Sequence, residues 1–320
     1  MTPKKVPLIQ APTPLHRLER VSEELDIDLW IKRDDLTGFA MGGNKGRKLE
    51  YMMAEALDQG AQAVVTCGAM QSNFIRHLGA AAAVCGLQCA AAVMETPYEF
   101  NPPFMDGLYR EGGNVLLDQW LGVDLHIYPD GTWEELYAYA EEVAQQYERK
   151  GLRVYRIPIG GSSPIGAYAF LQAGAELSSD FDWIVFASSS GSTQVGLSHA
   201  FRRTQTKVMG IASDPEPEIV EDFAELSQGL ANLIGQESIP AEEFCVFYDM
   251  VGPGYGVPSK DGNDAIRYLA AKEGIFLDPI YSGKAFAALM ELVKRGELSG
   301  KICFWHTGGL PALFAMRSMI

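Results

Sequence analysis

The segment Gly42-Gly43-Asn44-Lys45-Gly46-Arg47-Lys48-Leu49-Glu50-Tyr51 places a glycine turn directly before a stretch of helical periodicity. Lys45 lies at the junction, and Arg47 and Lys48 follow within one turn. A lysine amine becomes a nucleophile toward an aldehyde when burial or neighbouring positive charge lowers its pKa, and these two cations would supply that charge. The alternative is a solvated, basic helix start, because most lysine-rich turns lie on protein surfaces.

Outward from this segment, short β-rich runs alternate with longer stretches of helical period. A strand is predicted at 29–32, a helix at 45–57, a strand at 63–66 and a helix from near Ser72. Further strands are predicted at 89–94, 154–157, 183–187, 208–212 and 302–305. This alternation is typical of an α/β fold with a parallel sheet, in which ligands bind at the carboxyl ends of the strands.

Composition limits the function classes. The chain has 320 residues, 47% of them hydrophobic, which is enough for two domains. Its net charge of −15 argues against nucleic acid or an anionic membrane as a partner. Its five cysteines lack disulfide or zinc spacing, and it has no apolar run of membrane-spanning length, so we expect a soluble, cytoplasmic protein. Four histidines without metal-ligand spacing are interpreted as structural or surface groups: His16, His77, His126 and His199.

A small-residue turn, Ser189-Ser190-Gly191-Ser192-Thr193-Gln194, separates the predicted strand at 183–187 from a helical segment. Unpaired N–H groups at such a turn bind anions, and the helix dipole adds positive potential. Because the chain lacks a G-x-x-x-x-G-K-[ST] element, a nucleotide is not favoured, and together with Lys45 the turn favours a phosphate monoester. An ordinary helix N-cap is the alternative.

Polar and aromatic groups occupy three other loops. Gln71-Ser72-Asn73 follows a predicted strand and starts a helix, so it can bind a carboxylate, cap the helix, or do both. Tyr255 lies between glycines and Tyr281 follows Asp278-Pro279, where an aromatic side chain can line a site or simply pack. A phenol with a pKa of about 10 must be perturbed before it acts as a base.

In their order and approximate spacing these segments, together with His306-Thr307-Gly308-Gly309, resemble the pyridoxal-phosphate enzymes of the 1-aminocyclopropane-1-carboxylate deaminase and D-cysteine desulfhydrase family. The resemblance extends from Pro12-Thr13-Pro14-Leu15 to Pro311-Ala312-Leu313. It implies the fold-type II, tryptophan synthase β-like architecture, with two parallel-sheet domains and the cofactor, pyridoxal 5'-phosphate, in the cleft. The implied domains are a large one of residues 1–49 plus 159–320 and a small one of residues 50–158.

The resemblance also implies a role for each matching residue. Lys45 would hold the cofactor as a Schiff base and remove the substrate α-proton. Lys48 and the turn residues Gly191, Ser192 and Thr193 would hold the phosphate. Ser72 would contact the substrate carboxylate and Asn73 the cofactor's ring oxygen. The remaining implied positions are Tyr255 and Tyr281 as catalytic groups, and Gln71, Thr307 and Gly308 as substrate contacts. His306 is more ambiguous, since it abuts the glycine pair.

Ser282 distinguishes the possible reactions. It would face the pyridine nitrogen, where the deaminase branch has glutamate; a hydroxyl leaves the nitrogen neutral and suits β-elimination. Thr307 also resembles the desulfhydrase branch, whereas Gly46, where the family usually has threonine, is a departure. We expect a lyase that converts D-cysteine to pyruvate, sulfide and ammonia. The alternatives are the deaminase, an L-cysteate sulfo-lyase and a non-catalytic binder of the cofactor; a homodimer is expected.

Overall fold

The strands form two sheets in the computed structural model, which describes residues 2–94, 111–129, 131–178 and 180–316. The strands are β1 Leu15–Arg17, β2 Asp28–Arg33, β3 Ala63–Ala69, β4 Gln88–Met94, β5 Asp124–Ile127, β6 Val154–Arg156, β7 Trp183–Ser188, β8 Lys207–Ala212, β9 Cys245–Phe247 and β10 Lys301–His306. One sheet has the order β1-β2-β10-β7-β8-β9 and the other β5-β4-β3-β6.

Helices connect these strands. They are α1 Glu19–Leu25, α2 Lys45–Asp58, α3 Asn73–Cys85, α4 Gly113–Trp120, α5 Trp133–Arg149, α6 Pro164–Gly174, α7 Ser192–Phe201, α8 Ile219–Ile234, α9 Lys260–Glu273, α10 Ser282–Lys294 and α11 Leu310–Leu313. Short 3₁₀ turns occupy Asp34–Leu36, Ile159–Gly161 and Ala241–Glu243. Within the described ranges, no helix is both long and apolar enough to cross a membrane.

The predicted α/β fold is confirmed. Within the described sheets the strand pairs are parallel except for β1 with β2, which is antiparallel. Each predicted strand is present, with its ends within three residues of the predicted ones, whereas β1, β5 and β9 were not predicted. These three lie at sheet edges, where one side stays unpaired and a strand needs few apolar residues.

Apolar cores pack against both sheets. The larger sheet buries Phe304 against Phe286 of α10, with ring centroids 5.1 Å apart, and buries Trp305 beside Phe170 of α6. The smaller sheet packs with α2 and α3, where the alanines at positions 80, 81 and 82 are buried. Small side chains in α3 allow this close packing.

Helix α2 contacts both α3 and α6, so it lies between helices of the two sheets. Every strand of the smaller sheet falls between residues 63 and 156, and the larger sheet takes strands from both flanks. The predicted limit between residues 49 and 50 falls inside α2, which is a continuous helix. The division into 1–49 plus 159–320 and 50–158 stays a prediction.

Candidate active site

A cavity of about 850 Å³ lies where the carboxyl ends of β3, β7, β8 and β10 lead into their following turns. Ten of the residues predicted for the site line it: Lys45, Lys48, Ser72, Asn73, Gly191, Thr193, Tyr255, Tyr281, Thr307 and Gly308. Three others do not, namely Gln71, Ser192 and Ser282. The fold therefore brings most of the predicted set to one place.

The glycine turn before Lys45 has a conformation that requires glycine. Gly42 and Gly43 have φ angles of +76° and +125°, and a Cβ on Gly42 would lie 1.8 Å from the Asp35 carbonyl oxygen. The next residue, Asn44, donates its N–H to the Thr307 carbonyl at 2.9 Å and its side-chain amide to Thr193 Oγ1 at 3.3 Å. The turn thus fixes Lys45, the first residue of α2, between the turns that follow β7 and β10.

The Lys45 amine has the properties of a nucleophile. Burial lowers its pKa to about 8, and the carboxylate of Asp278 partly opposes this shift. Among the residues that the structure describes, none forms a hydrogen bond or an ion pair with this amine, so it is available to the cavity.

The prediction that Arg47 supplies positive charge to lower the pKa of Lys45 is wrong. Its guanidinium pairs with Asp34 at 2.7 Å and with Glu176 at 2.6 Å, in a buried network away from Lys45. Lys48, one helical turn after Lys45, is the cation that faces the cavity. Burial and the charge of Lys45 hold the pKa of Lys48 well below its usual range. Residues three apart share a helix face whereas residues two apart do not, which explains the difference.

The turn after β7 forms an anion cradle with Lys48. Gly191, with a φ of +100°, precedes α7, so the first N–H groups of that helix point toward the cavity side of the turn. The Lys48 amine donates to the Gly160 carbonyl at 3.0 Å. The Ser192 hydroxyl donates to the Gly161 carbonyl at 3.2 Å and is turned away from the cavity. Ser192 would therefore contact an anion through its backbone N–H.

The segment before α3 separates into inward and outward groups. Ser72 is the N-cap of α3, and its Oγ accepts from the N–H groups of Phe74 and Ile75 at 3.2 and 3.5 Å. Because Oγ uses lone pairs for capping, its proton remains for donation into the cavity, so the capping and binding interpretations are compatible. Gln71 instead holds Gly112 and Asn114, at 3.2 and 2.9 Å, and does not line the cavity.

Asn73 is held rigidly at the cavity wall. Its Oδ1 accepts from Arg76 at 2.9 Å and from the Asn114 amide at 3.0 Å. These two bonds direct the carbonyl end of the Asn73 side chain toward the protein. The amide nitrogen is thereby the end placed to donate to an oxygen in the cavity.

Tyr255 and Tyr281 form a pair, with their hydroxyl oxygens 2.6 Å apart and their rings at 65°. Burial raises the pKa of both phenols, and the nearby carboxylates of Asp214 and Asp278 raise them further. Both phenols therefore keep their protons at neutral pH. They suit hydrogen-bond or proton donation rather than the role of a base.

Asp278 organises the turn that carries Tyr281 and Ser282. Its Oδ1 accepts from the N–H groups of Ile280 and Tyr281, at 2.9 and 2.8 Å. Its Oδ2 accepts from the Ser282 N–H at 2.8 Å and from the Ser282 hydroxyl at 2.6 Å. The Ser282 hydroxyl is thus fully buried and bound to a carboxylate, and its predicted contact with the pyridine nitrogen stays a prediction.

Several cavity residues were missed from the sequence, and His77 and Asp214 are two of them. His77, interpreted as structural, lines the cavity; its Nδ1 lies 2.7 Å from the Asn73 carbonyl oxygen, and its Nε2 has no partner among the residues described. Asp214 follows β8 and accepts from the Ser189 hydroxyl at 2.9 Å. The sequence carried a signal for each residue. His77 lies one helical turn after Asn73, and Asp214 is an acidic residue just after a buried strand. His306, by contrast, contacts the Phe276 carbonyl at 2.9 Å, outside the lining.

Comparison with known proteins identifies the family. A family model described as "Pyridoxal-phosphate dependent enzyme" matches residues 6–308. The chain belongs to the pyridoxal-phosphate-dependent enzymes. Two relatives named "D-cysteine desulfhydrase" are each 37% identical to this chain. The match covers 97% of this chain and 95% of the Klebsiella pneumoniae protein, and 99% of this chain and 97% of the Yersinia enterocolitica protein. A Pyrococcus furiosus protein named "Putative 1-aminocyclopropane-1-carboxylate deaminase" is also 37% identical, over 97% of this chain and 93% of its own length.

Solved structures with the same fold agree with this assignment. A crystal structure described as an "ACC deaminase homologue" has a TM-score of 0.87 and 36% identity, covering 97% of this chain and 93% of that one. O-ureido-L-serine synthase, at 17% identity and a TM-score of 0.65 over 94% of this chain and 90% of its own, shares the fold. The predicted fold-type II architecture is confirmed.

The cavity fits pyridoxal phosphate. Within the described parts of the chain, no carboxylate pairs with Lys45 or Lys48, and both face a cavity that also receives the N-terminus of α7. Two lysine amines that pair with no carboxylate, together with a helix N-terminus, suit a phosphate. The aldehyde can then reach the Lys45 amine, whose lowered pKa favours the reaction. Residues 2–94, 111–129, 131–178 and 180–316 contain no group of three metal-ligating side chains.

Proposed function

We propose that this enzyme is a carbon–sulfur lyase that cleaves D-cysteine. One molecule each of D-cysteine and water would give pyruvate, hydrogen sulfide and ammonia. The observation that carries the proposal is the placement of the Lys45 amine, with a pKa of about 8, in a cavity that two protonated phenols also line. The hydroxyl residue Ser282 lies buried behind this lining. The names of the two desulfhydrase relatives support the same reaction.

The bound cofactor supplies the electron sink that acidifies the substrate's α-carbon. Lys45 takes the α-proton, and the electron pair of the Cα–H bond forms the Cα–Cβ double bond as the C–S bond breaks. The sulfur leaves as a thiolate, and the Tyr255–Tyr281 pair is placed to donate a hydrogen bond or a proton to it. The released aminoacrylate tautomerises and reacts with water, giving pyruvate and ammonia.

We also propose roles for the residues that hold the substrate and cofactor. Ser72 donates its remaining proton to the substrate carboxylate, and Thr307 lies beside it in the lining. Lys48, Gly191 and Thr193 hold the phosphate. This arrangement would orient the Cα–H bond toward Lys45. It would also keep water from the Lys45 amine, and the same burial lowers the pKa of that amine.

Ring opening of 1-aminocyclopropane-1-carboxylate is the second candidate. The Pyrococcus furiosus relative carries that name, and the buried Asp278 carboxylate lies one hydrogen bond behind Ser282. A carboxylate so close to the predicted position of the pyridine nitrogen could strengthen the electron sink through the hydroxyl. The hydroxyl at Ser282, in place of a carboxylate, favours elimination over ring opening.

A four-substrate assay tests the proposal. The purified, cofactor-loaded protein receives D-cysteine, L-cysteine, L-cysteate and 1-aminocyclopropane-1-carboxylate in parallel. The first three are scored by pyruvate, and the last by ammonia and 2-oxobutanoate. We expect turnover of D-cysteine with equal amounts of pyruvate and sulfide. Turnover of the cyclopropane substrate alone would refute the elimination reaction. The variant Lys45→Ala is assayed in the same way, and Lys294→Ala, a change on the exposed surface, is its control.

We further propose that the protein is a cytoplasmic homodimer. Leu116 and Trp120, one turn apart on α4, have exposed fractions of 39% and 77%, and Phe314, after α11, is 72% exposed. Helices α4 and α11 are in contact, so these apolar side chains share one region of the surface. Light scattering should give twice the chain mass, and Trp120→Asp should shift it toward the monomer; a wild-type monomer would refute the proposal.

A further inference from the structure

The cavity has an acidic wall that no step described above uses. Six carboxylates line the cavity, most of them from the segment between β8 and the middle of α8: Asp214, Glu216, Glu218, Asp222, Glu225 and Glu134. Lys45 and Lys48 are the lysines of the same lining, and they are assigned to the cofactor. The space left for the rest of the substrate therefore has negative potential.

Asp214 is the member of this wall that lies just after β8, at the carboxyl end of the sheet. It is partly buried, whereas Glu218, Asp222 and Glu225 are exposed. Asp214 lines the same cavity as Tyr255 and Tyr281, and its charge contributes to the raised pKa values of both phenols. Because the proposed function assigns the leaving sulfur to that phenol pair, the charge of Asp214 would act on the β-substituent of a bound amino acid.

Asp214 has hydrogen-bond donors but no ion pair with any residue that the structure describes. Its Oδ2 accepts from the hydroxyls of Ser189 at 2.9 Å and Ser213 at 3.4 Å. The nearby amine of Lys284 instead donates to the carbonyls of Val251 and Gly254, at 2.7 and 2.9 Å. Burial raises the pKa of Asp214, and the charge of Lys284 partly opposes this shift without forming an ion pair, so the carboxylate oxygens of Asp214 remain open to a cation in the cavity.

Hydrogen bonding alone does not account for a charged residue here. An asparagine carbonyl at position 214 would accept from the same two serine hydroxyls and has nearly the same volume. A carboxylate with burial-raised pKa of about 6 is still mostly ionised at neutral pH. Asp214→Asn therefore removes the charge and keeps the shape and the serine contacts.

We propose that Asp214 selects the substrate by the charge of its β-substituent, favouring a cationic group over a neutral one and rejecting an anionic one. The inference rests on the proposed function in that the cavity receives an amino acid at the cofactor. It names the substrate class more closely: amino acids whose sulfur carries hydrogen or a cationic group. L-Cysteate, whose β-substituent is a sulfonate, falls outside that class.

Binding of unreactive amino acids tests the charge rule without catalysis. D-Ornithine, D-glutamine and D-glutamate, and their L enantiomers, are titrated into the cofactor-loaded protein, followed by calorimetry and by the cofactor's visible absorption. We expect affinity to fall in the order ornithine, glutamine, glutamate in the series that binds. In Asp214→Asn the preference for ornithine over glutamine should shrink about tenfold, the size of one charge–charge interaction in a partly solvated cavity.

Asp249→Asn is the matched control, since it makes the same change in net charge at an exposed position outside the cavity lining. It should leave the preference unchanged. An equal preference in the wild type and Asp214→Asn, or an equal loss in Asp249→Asn, would overturn the inference.

Turnover separates this inference from the proposed function. S-(2-aminoethyl)-D-cysteine and D-cysteate are compared as substrates, with D-cysteine as the neutral reference. A charge order that holds in binding without turnover of any sulfur substrate would refute the proposed function and support the role of Asp214. Turnover of D-cysteine and D-cysteate at similar kcat/KM would support elimination and overturn the role of Asp214.

Discussion

Replacing Asp278 with asparagine should destabilise the protein and disorder the turn that carries Tyr281 and Ser282. The buried carboxylate accepts four hydrogen bonds, two at each oxygen, all between 2.6 and 2.9 Å. An asparagine amide retains one acceptor oxygen. With its NH₂ at the Oδ1 position, the N–H groups of Ile280 and Tyr281 would lose their acceptor. With its NH₂ at the Oδ2 position, the Ser282 N–H would lose its acceptor, whereas the Ser282 hydroxyl could turn to the Gly308 carbonyl at 3.4 Å.

The size of the effect follows from the less costly placement, which leaves one buried donor unpaired. Such a donor costs about 1–3 kcal/mol, so Asp278→Asn should lower the free energy of unfolding by about 2 kcal/mol. Loss of a negative charge at the N-terminus of α10 adds about 0.5 kcal/mol. Because Tyr281 and Ser282 are positioned by the same bonds, kcat/KM should fall as well.

Urea unfolding of the unloaded protein, followed by circular dichroism, measures the stability change, and D-cysteine turnover measures the functional one. Asp249→Asn is the control and should change stability by less than about 0.5 kcal/mol, because its side chain is exposed. A loss below about 1 kcal/mol in Asp278→Asn, with normal turnover, would refute the description of Asp278 as the organiser of this turn.

Three further predictions concern other parts of the site. Burial lowers the pKa of Lys45 to about 8, so the charged amine is disfavoured in the folded protein. The rate at which unloaded protein captures pyridoxal phosphate should therefore rise through pH 8 and level off above it. A rate still rising at pH 10 would contradict the lowered pKa. Arg47→Ala leaves the buried carboxylate of Asp34 without its ion pair, whereas Glu176 keeps Lys32. The change should lower the free energy of unfolding by about 3–5 kcal/mol in urea, against little change in the exposed Arg149→Ala; equal values would contradict the buried network. Tyr255→Phe should lower kcat for D-cysteine by about 10²-fold with little change in KM, because this phenol is proposed to donate to the leaving sulfur. An unchanged kcat would show that Tyr255 has no part in the mechanism.

Much of the fold could be predicted because the strands of a parallel sheet are continuous apolar runs. Segments such as Trp183–Ser188 and Lys301–His306 are buried on both faces, so few polar residues interrupt them. Edge strands lack that signal. Leu15–Arg17 and Cys245–Phe247 have three residues each, and their pairing depends on neighbours that are distant in the sequence.

The site could be predicted wherever a polar turn directly follows a strand. That rule found the turns at Ser72 and Gly191, and it could also have found Asp214. It failed for Arg47 because charge was counted by distance along the chain rather than by helix face, and Lys48 alone shares the face of Lys45. The inward direction of His77 depends on the packing of α3, which the sequence alone does not specify.

The most direct test of the central claim is which lysine carries the cofactor. Burial also lowers the pKa of Lys284 to about 8, but the Lys284 amine is engaged by two carbonyl oxygens, and the Lys48 amine by one. Borohydride reduction of the loaded protein, followed by peptide mass spectrometry, fixes the cofactor at its point of attachment. The account predicts a pyridoxyl group on Lys45; a label on Lys284 or Lys48, with Lys45 unmodified, would contradict it.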